Sequence, residues 1–504
     1  MSKIKKPKIN NFKFWIGLVL ILKLTILYYF LIQAEKFGFK LSGISIISND
    51  FEQLIEPSNM LIENGKYSLL ESSKPYSGRL PGSAFPYIIF RFFFNEFYSL
   101  QLLIFTQIIL SSISVYLLSI LTFKITNKSF FFYLSIIIFS VCTYFIKEEI
   151  LTTTTSFSAS SFIIMLFYLQ KHIESKKNKY LFFSSIFLLW LFLLRPFTLI
   201  YIPIIIIYLL DFSDLKLTII KIAIVISPLF IFESFWTYRN FSNTGKFIPL
   251  QEGYVPGLDF KYIEGCGQDC VAKYSILEIR KLVSSWGGSS EWYIEGTDMN
   301  WFLDGEINNE IHFKKTIFSN EFTKDSIVNL KKLLISSFDS KLSFNQRFVA
   351  DELIVKKAKK FKSNFIKNHP FDYYIKSRFL RIKNLILVNP TMDWPGPPFL
   401  KSSMAYKLFK IISIISFFVF FLAIIVYTIC FLFMKKTKGN VVNICFYFTI
   451  ALLASFSFLI ELTSVFYFAT GYICGYIMLV SLLSILIKKL SVMRRKVTVL
   501  KFKF

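Results

Sequence analysis

The sequence predicts an all-α polytopic membrane protein, and three observations carry that prediction. Hydrophobic residues make up 54% of the 504, and aromatic residues alone 19%, with 61 Phe; a soluble domain averages about 45–50% apolar. The apolar residues are not dispersed at a period of 2 or 3.6. They come in blocks such as Phe14 to Ile32, each near the roughly 17–25 residues a helix needs to cross the hydrocarbon of a bilayer. Lysine and arginine gather in the short connections after every second block, the positive-inside pattern of a multi-pass protein.

About ten transmembrane helices follow, near 14–33, 99–122, 130–146, 156–170, 181–194, 197–210, 218–235, 408–433, 441–459 and 464–487. The two around Arg195-Pro196 are short, and one bent hairpin or a re-entrant pair fits there as well. An even count puts both termini in the cytoplasm. The basic clusters then fall on that side: Lys3 to Lys13, Lys124 and Lys128, Lys171 to Lys179, Lys216 and Lys221, Lys435 to Lys438, and Lys488 through Lys496. The N-terminal run is long, basic at its start and without a small-residue cleavage site, so it reads as a retained signal anchor in the plasma membrane.

Three external segments remain: an amphipathic first loop (34–98), the short K147-E-E149, and a long loop (236–407). The chain thus divides into an N-terminal membrane module (1–235), an external domain (236–407), and C-terminal helices with a basic tail (408–504). The long loop has amphipathic stretches at Val328–Phe338 and Phe348–Phe365 and a turn-rich aromatic stretch, W286-G-G-S-S-E-W292. It lacks the low-complexity composition of disorder and is expected to form a small domain of mixed structure packed on the bundle.

The formal charge of +26 sits in those topological clusters, which points to membrane lipids as partners and not to nucleic acid. Cys142, Cys430, Cys445 and Cys474 lie in or beside apolar blocks, where Cys acts as a small hydrophobe. Cys266 and Cys270 lie in a polar turn, where a local disulfide is an option outside the cytoplasm. No His or second Cys pair gives a zinc spacing.

Candidate functional residues cluster at the outer ends of the spans. D50-F-E-Q53 fits a capping box opening a helix that runs towards Gly65; the same carboxylate at an apolar boundary suits a general base. Arg79, in G78-R-L-P-G82, is either a snorkelling loop arginine or a guanidinium that grips a phosphate with parallel hydrogen bonds. Glu148 and Glu149 read as a solvated helix end, or as a second acid that orients a hydroxyl or holds a divalent cation. Arg195 and Arg239 run against the positive-inside bias, which favours function over topology. Trp286, Trp292 and Trp301 suit core packing or sugar stacking. His312 and His369 carry little signal singly.

Taken together, these segments resemble the GT-C fold glycosyltransferases, in the bacterial branch akin to protein O-mannosyltransferases and lipid A aminoarabinose transferases. The resemblance rests on elements in register from about residue 48 to 385. They are Asp50-Phe-Glu-Gln53, Gly65-Lys-Tyr67, Arg79-Leu-Pro-Gly82, K147-E-E-I-L-T152, Arg195-Pro196, Trp236-Thr-Tyr-Arg-Asn240 with Gly245-Lys-Phe-Ile-Pro249, and His369-Pro370 with Tyr374 and Arg378. The sequence departs from the family at E461-L-T-S-V-F-Y-F-A-T-G-Y472, which keeps a tyrosine but lacks the family's arginine and prolines, and at Asp50-Phe, where many members have Asp-Glu and Glu52 is a partial substitute.

The resemblance implies a GT-C-like fold and an inverting transfer of sugar from a polyprenyl-phosphate donor to a hydroxyl of an extracytoplasmic glycan, lipid or protein. A lipid phosphate is already a competent leaving group. The needs are therefore a base for the acceptor proton, assigned to Asp50, and cations for the departing phosphate, assigned to Arg79, Arg195 and Arg239. Glu148, Glu149 or Glu52 would orient acceptor or sugar, or hold a divalent cation; no other cofactor is implied. The rivals are a lipid or sugar transporter or flippase, which should carry ionisable groups near the bilayer midplane, and a polysaccharide polymerase or ligase. In the sequence most charges avoid the span centres.

Overall fold

The computed structural model describes residues 11–36, 41–47, 54–68, 80–82, 84–245, 247–250, 273–288, 298–303, 313, 317–319, 321–337, 339, 341–387, 404–433, 441–460 and 468–501, and the structural statements below concern these. Helix α1 (Phe12–Lys36) leads into a two-residue hairpin, β1 (Leu41–Ser42) against β2 (Ser45–Ile46). Short helices α2 (Glu56–Asn64) and α3 (Ala84–Arg91) precede the bundle proper: α4 (Glu96–Thr126), α5 (Ser129–Val141), α6 (Thr143–Ile150), α7 (Thr155–Ser175) and α8 (Asn178–Leu194). A 3-10 turn (Pro196–Ile200) then connects to α9 (Tyr201–Leu209) and α10 (Leu215–Thr244). The long loop supplies α11 (Lys273–Ser285), α12 (Asp298–Leu303), α13 (Lys324–Ser337), α14 (Phe344–Asn368), a π turn (Asp372–Lys376) and α15 (Ser377–Leu387). The chain closes with α16 (Met404–Phe433), α17 (Val441–Ala454) running on as a π turn (Ser455–Ile460), and α18 (Ala469–Lys501).

Each expected span falls on helix, and the protein is all-α and membrane-embedded in character. Five helices are long and apolar enough to cross a bilayer: Phe12–Lys36, Glu96–Thr126, Leu215–Asn243, Ile414–Phe431 and Ala469–Ser491. Ser129–Val141, Asn178–Leu194, Pro196–Leu209 and Val441–Ser457 are apolar but shorter. The span expected at 130–146 is broken, because Cys142 is extended (φ −68, ψ 108) and separates α5 from α6. At Arg195-Pro196 the chain forms helix, 3-10 turn and helix. Arg195 adopts φ −146, ψ 89, the extended conformation that a following proline ring imposes.

Helix α7 is the centre of the bundle. From Thr155 to Phe167 every residue is buried, and apart from Phe157 the run T155-S-F-S-A-S-S161 is built of small side chains. Small residues let neighbouring backbones approach closely, which is how helices associate where apolar burial gives little drive. The helix packs on α4, α6, α8, α17 and α18. A second close approach joins α16 to α18, where a Cβ on Gly475 would lie 2.8 Å from the Phe420 carbonyl oxygen.

Among the described residues the long loop is helical. The amphipathic stretches are α13 and α14, whose buried residues recur at helical spacing: Ile327, Leu330 and Leu334 on one, Ile354, Ala358, Phe361 and Phe365 on the other. A capping box at Ser343 and Gln346 starts α14. Trp286 and Trp301 pack on Phe313 in this core, with ring centroids 5.9 and 5.4 Å apart; Trp292, His312, Cys266 and Cys270 lie outside the described residues. The cluster is tied to the bundle by two buried arginines of α15. Arg378 and Arg381 both donate to the Ser457 carbonyl, at 2.7 and 2.8 Å, and Arg381 also donates to the Ser284 carbonyl at 2.6 Å.

Candidate functional site

Glu148 and Glu149, expected at a solvated helix end, are buried. The reason is that α6 turns inward between α1, α4 and α7. Glu149 meets Lys23, which lies near the midpoint of α1 and is itself fully buried. Lys23 Nζ donates to Ser111 Oγ at 2.5 Å, and Ser111 Oγ donates to Glu149 Oε1 at 2.6 Å. The result is a charge-assisted triangle joining three helices inside the bundle. Glu148 accepts a hydrogen bond from Thr153 Oγ1 at 2.9 Å, and its Oε1 stands 3.8 Å from Lys147 Nζ. The second oxygens, Glu148 Oε1 and Glu149 Oε2, are buried and have no hydrogen-bond partner.

Lys23 escaped the sequence reading, which took the first span as nearly uncharged. The available signal was its position: one lysine near the middle of an apolar block is too far from either end to reach water, so it needs an internal partner.

The first loop reaches this triangle from the other side. Gln101 of α4 holds the hairpin, accepting from the Ile44 amide at 2.8 Å and donating to the Ser42 carbonyl at 2.8 Å. Ile46, at the end of β2, forms a parallel bridge with Leu151. The chain four residues before Asp50 is thereby paired with the chain two residues after Glu149. Asp50 and Glu52 lie outside the described residues, as does Arg79. The helix expected to run towards Gly65 ends there; Leu54 is helical, Ile55 is a turn and α2 continues from Glu56, while the capping box expected at Asp50 to Gln53 lies outside the described residues.

Arg195 closes the same face. Its guanidinium donates to Thr155 Oγ1 at 2.7 Å, in the threonine run whose Thr153 binds Glu148. Two residues further on, Phe197 packs on Phe456 with ring centroids 5.6 Å apart. The Arg195 turn is thus beside the π turn that carries Ser457 and anchors the long-loop cluster.

Arg239 belongs to a neighbouring group. It donates to the Tyr67 carbonyl at 3.2 Å and to Asn240 Oδ1 at 2.9 Å, and lies over the rings of Trp236 and Tyr67, 4.8 and 5.4 Å from their centroids. Both contacts suit a guanidinium. Trp236 Nε1 donates to the Leu250 carbonyl at 2.6 Å and Asn240 to the Ile248 carbonyl at 3.0 Å, so the two halves of the Trp236–Pro249 element fold onto each other. Tyr67, Leu80, Phe192 and Trp236 share one apolar cluster.

Gly82 fixes how near these pieces stand. A Cβ there would lie 2.6 Å from the Leu193 carbonyl oxygen, so only glycine lets the Pro81-Gly82 turn touch the end of α8. Trp190 Nε1 seals the contact by donating to the Gly82 carbonyl at 3.0 Å.

Five separated sequence elements therefore converge at one end of the bundle: Gly65-Lys-Tyr67, Leu80-Pro-Gly82, Lys147 to Thr152, Arg195-Pro196 and Trp236 to Pro249. Arg195 is joined to the acids through the threonine run, and Arg239 abuts that group across the Phe192 cluster. The group has partly exposed guanidiniums, Arg195 and Arg239, above the buried Glu148 and Glu149, and guanidiniums of this kind can bind an anionic headgroup beside lipid. Among the described residues no group of three His, Cys, Asp or Glu side chains is placed to hold a metal ion. The comparisons are uniformly negative: no protein-family model, no curated protein and no solved structure matches the chain.

Proposed function

We propose that this protein is a membrane glycosyltransferase that moves a sugar from a polyprenyl-phosphate donor to a hydroxyl of an extracytoplasmic acceptor. The observation that carries the reading is the convergence just described. Elements spread from Gly65 to Pro249, which resemble GT-C motifs in order, meet around Arg195, Gly82 and the Glu148–Glu149 end of α6. On this reading Asp50 takes the acceptor proton, and Arg79, Arg195 and Arg239 neutralise the phosphate as the glycosidic bond breaks. Glu148 orients a hydroxyl. Attack by one hydroxyl with departure of the lipid phosphate inverts the anomeric carbon, and the prenyl tail stays in the bilayer while its head reaches the polar surface.

The test uses membranes containing the full chain, supplied with a short-chain prenyl-phosphate sugar. Asp50→Asn should insert normally and lose about 10²–10⁴-fold in transfer, the range a general base supplies. Full transfer by that variant would remove Asp50 from the role.

One observation favours a second reading. The buried Lys23–Glu149 pair is an ionisable group inside the bundle, the kind of feature that marks a transporter. Counterflow of intact lipid-linked substrate in proteoliposomes, without sugar transfer, would select it.

A further inference from the structure

The external helical cluster meets the bundle along one face of α15 and the π turn before it, and the opposite face is bare. Tyr373, Ser377, Arg378 and Arg381 are buried, whereas Phe371, Tyr374, Ile375 and Phe379 are 69%, 54%, 56% and 66% exposed. Single exposed apolar residues are ordinary, but a contiguous stripe of large ones is not.

Two observations say what covers it. Arg378 and Arg381 both bind the carbonyl of Ser457, the last residue of the apolar helix Val441–Ser457. The helix that carries the stripe is thereby fixed beside the π turn that follows an apolar helix. Lys367 and Lys383 flank it and are exposed, cations of the sort that reach headgroup phosphates from a helix lying in the interface; Lys376 is paired with Asp372 at 3.2 Å. A protein-binding face would need neither property.

We propose that the segment 371–387 is an interfacial helix whose Phe371, Tyr374, Ile375 and Phe379 face is immersed at the headgroup–acyl boundary. The bilayer then supports the external cluster from below while the two arginines hold it sideways to the bundle. This proposal stands on the stripe and its anchor and is independent of sugar transfer.

Spin labels test it in the full chain, with its six native cysteines replaced and the protein reconstituted in phosphatidylethanolamine–phosphatidylglycerol vesicles. Cysteine is introduced at Phe371, Ile375 or Phe379, and at exposed Lys360 of α14 as an aqueous reference. Collision with oxygen should exceed collision with a water-soluble nickel chelate severalfold at the three stripe positions, and the order should reverse at Lys360. Equal chelate access at stripe and reference would overturn the proposal. So would protection from both reagents, which would mean that protein covers the face. Should one variant fail to insert, Tyr374→Cys reports on the same surface.

Discussion

Lys23 shows how one side chain can set the local chemistry. An ammonium in the interior of a bundle is stable only with a counter-charge and hydrogen bonds, and Glu149 and Ser111 supply both. Removing either charge alone strands the other. Lys23→Met should therefore destabilise the chain by about 3–5 kcal/mol, the cost of leaving a buried charge unpaired. Pairing it with Glu149→Gln should restore most of that loss. Thermal unfolding of the two single variants and the double variant in detergent measures the coupling, and additive losses would show that the pair does not act as a unit. The adjacent Glu148 is held differently, by Thr153 and by Lys147, whose Nζ is 3.8 Å away.

At the scale of elements, the helical cluster of the long loop carries its own pH dependence. Asp351 of α14 accepts the amide of Ser275 at 3.2 Å, satisfying one of the first-turn N–H groups that α11 cannot pair internally. Burial strips water from this carboxyl and pushes its pKa up to about 6, although the Ser275 bond pulls the other way. Because the folded value is raised, the native state binds more protons than the unfolded chain between about pH 4 and 6. The contribution to stability is complete below that window and is lost as pH rises through it. After solvent screening its size is on the order of 1 kcal/mol. Unfolding of the cluster should move to lower temperature by a few degrees between pH 4 and 7, and Asp351→Asn should flatten this slope. An unchanged slope in that variant would place the dependence on other groups.

The whole molecule is two helical cores held in register by few contacts. Arg381 bridges the Ser457 carbonyl of the bundle and the Ser284 carbonyl of the cluster. Bonds from a charged donor are worth about 1.5–3 kcal/mol each, so Arg381→Ala should loosen the docking without unfolding either core. Hydrogen exchange should rise at least about tenfold in 377–387 and 455–460, tenfold corresponding to about 1.4 kcal/mol, while α4 and α7 keep their protection. Exchange that rises throughout would mean that docking and bundle stability are inseparable. Since Phe197, beside Arg195, packs on Phe456 of the same π turn, the docking also sets what stands over the candidate site.

The helices were legible in the sequence because apolar length and helical spacing are local properties. The ten apolar blocks, the Gly65 terminus of α2 and the amphipathic α13 and α14 all follow from residues close together in the chain. The break at Cys142, the burial of Glu148 and Glu149, and the partner of Lys23 were not legible. Each depends on which distant helix comes alongside, and the sequence over the 126-position separation of Lys23 and Glu149 holds no local trace of the pairing. The acid and arginine motifs could be noted one by one. Only packing decided that Gly82 touches Leu193, that Ile46 pairs with Leu151, and that Arg195 reaches Thr155. A buried charge or a missing Cβ is resolved only by the surface that meets it, and that surface exists only in the folded chain.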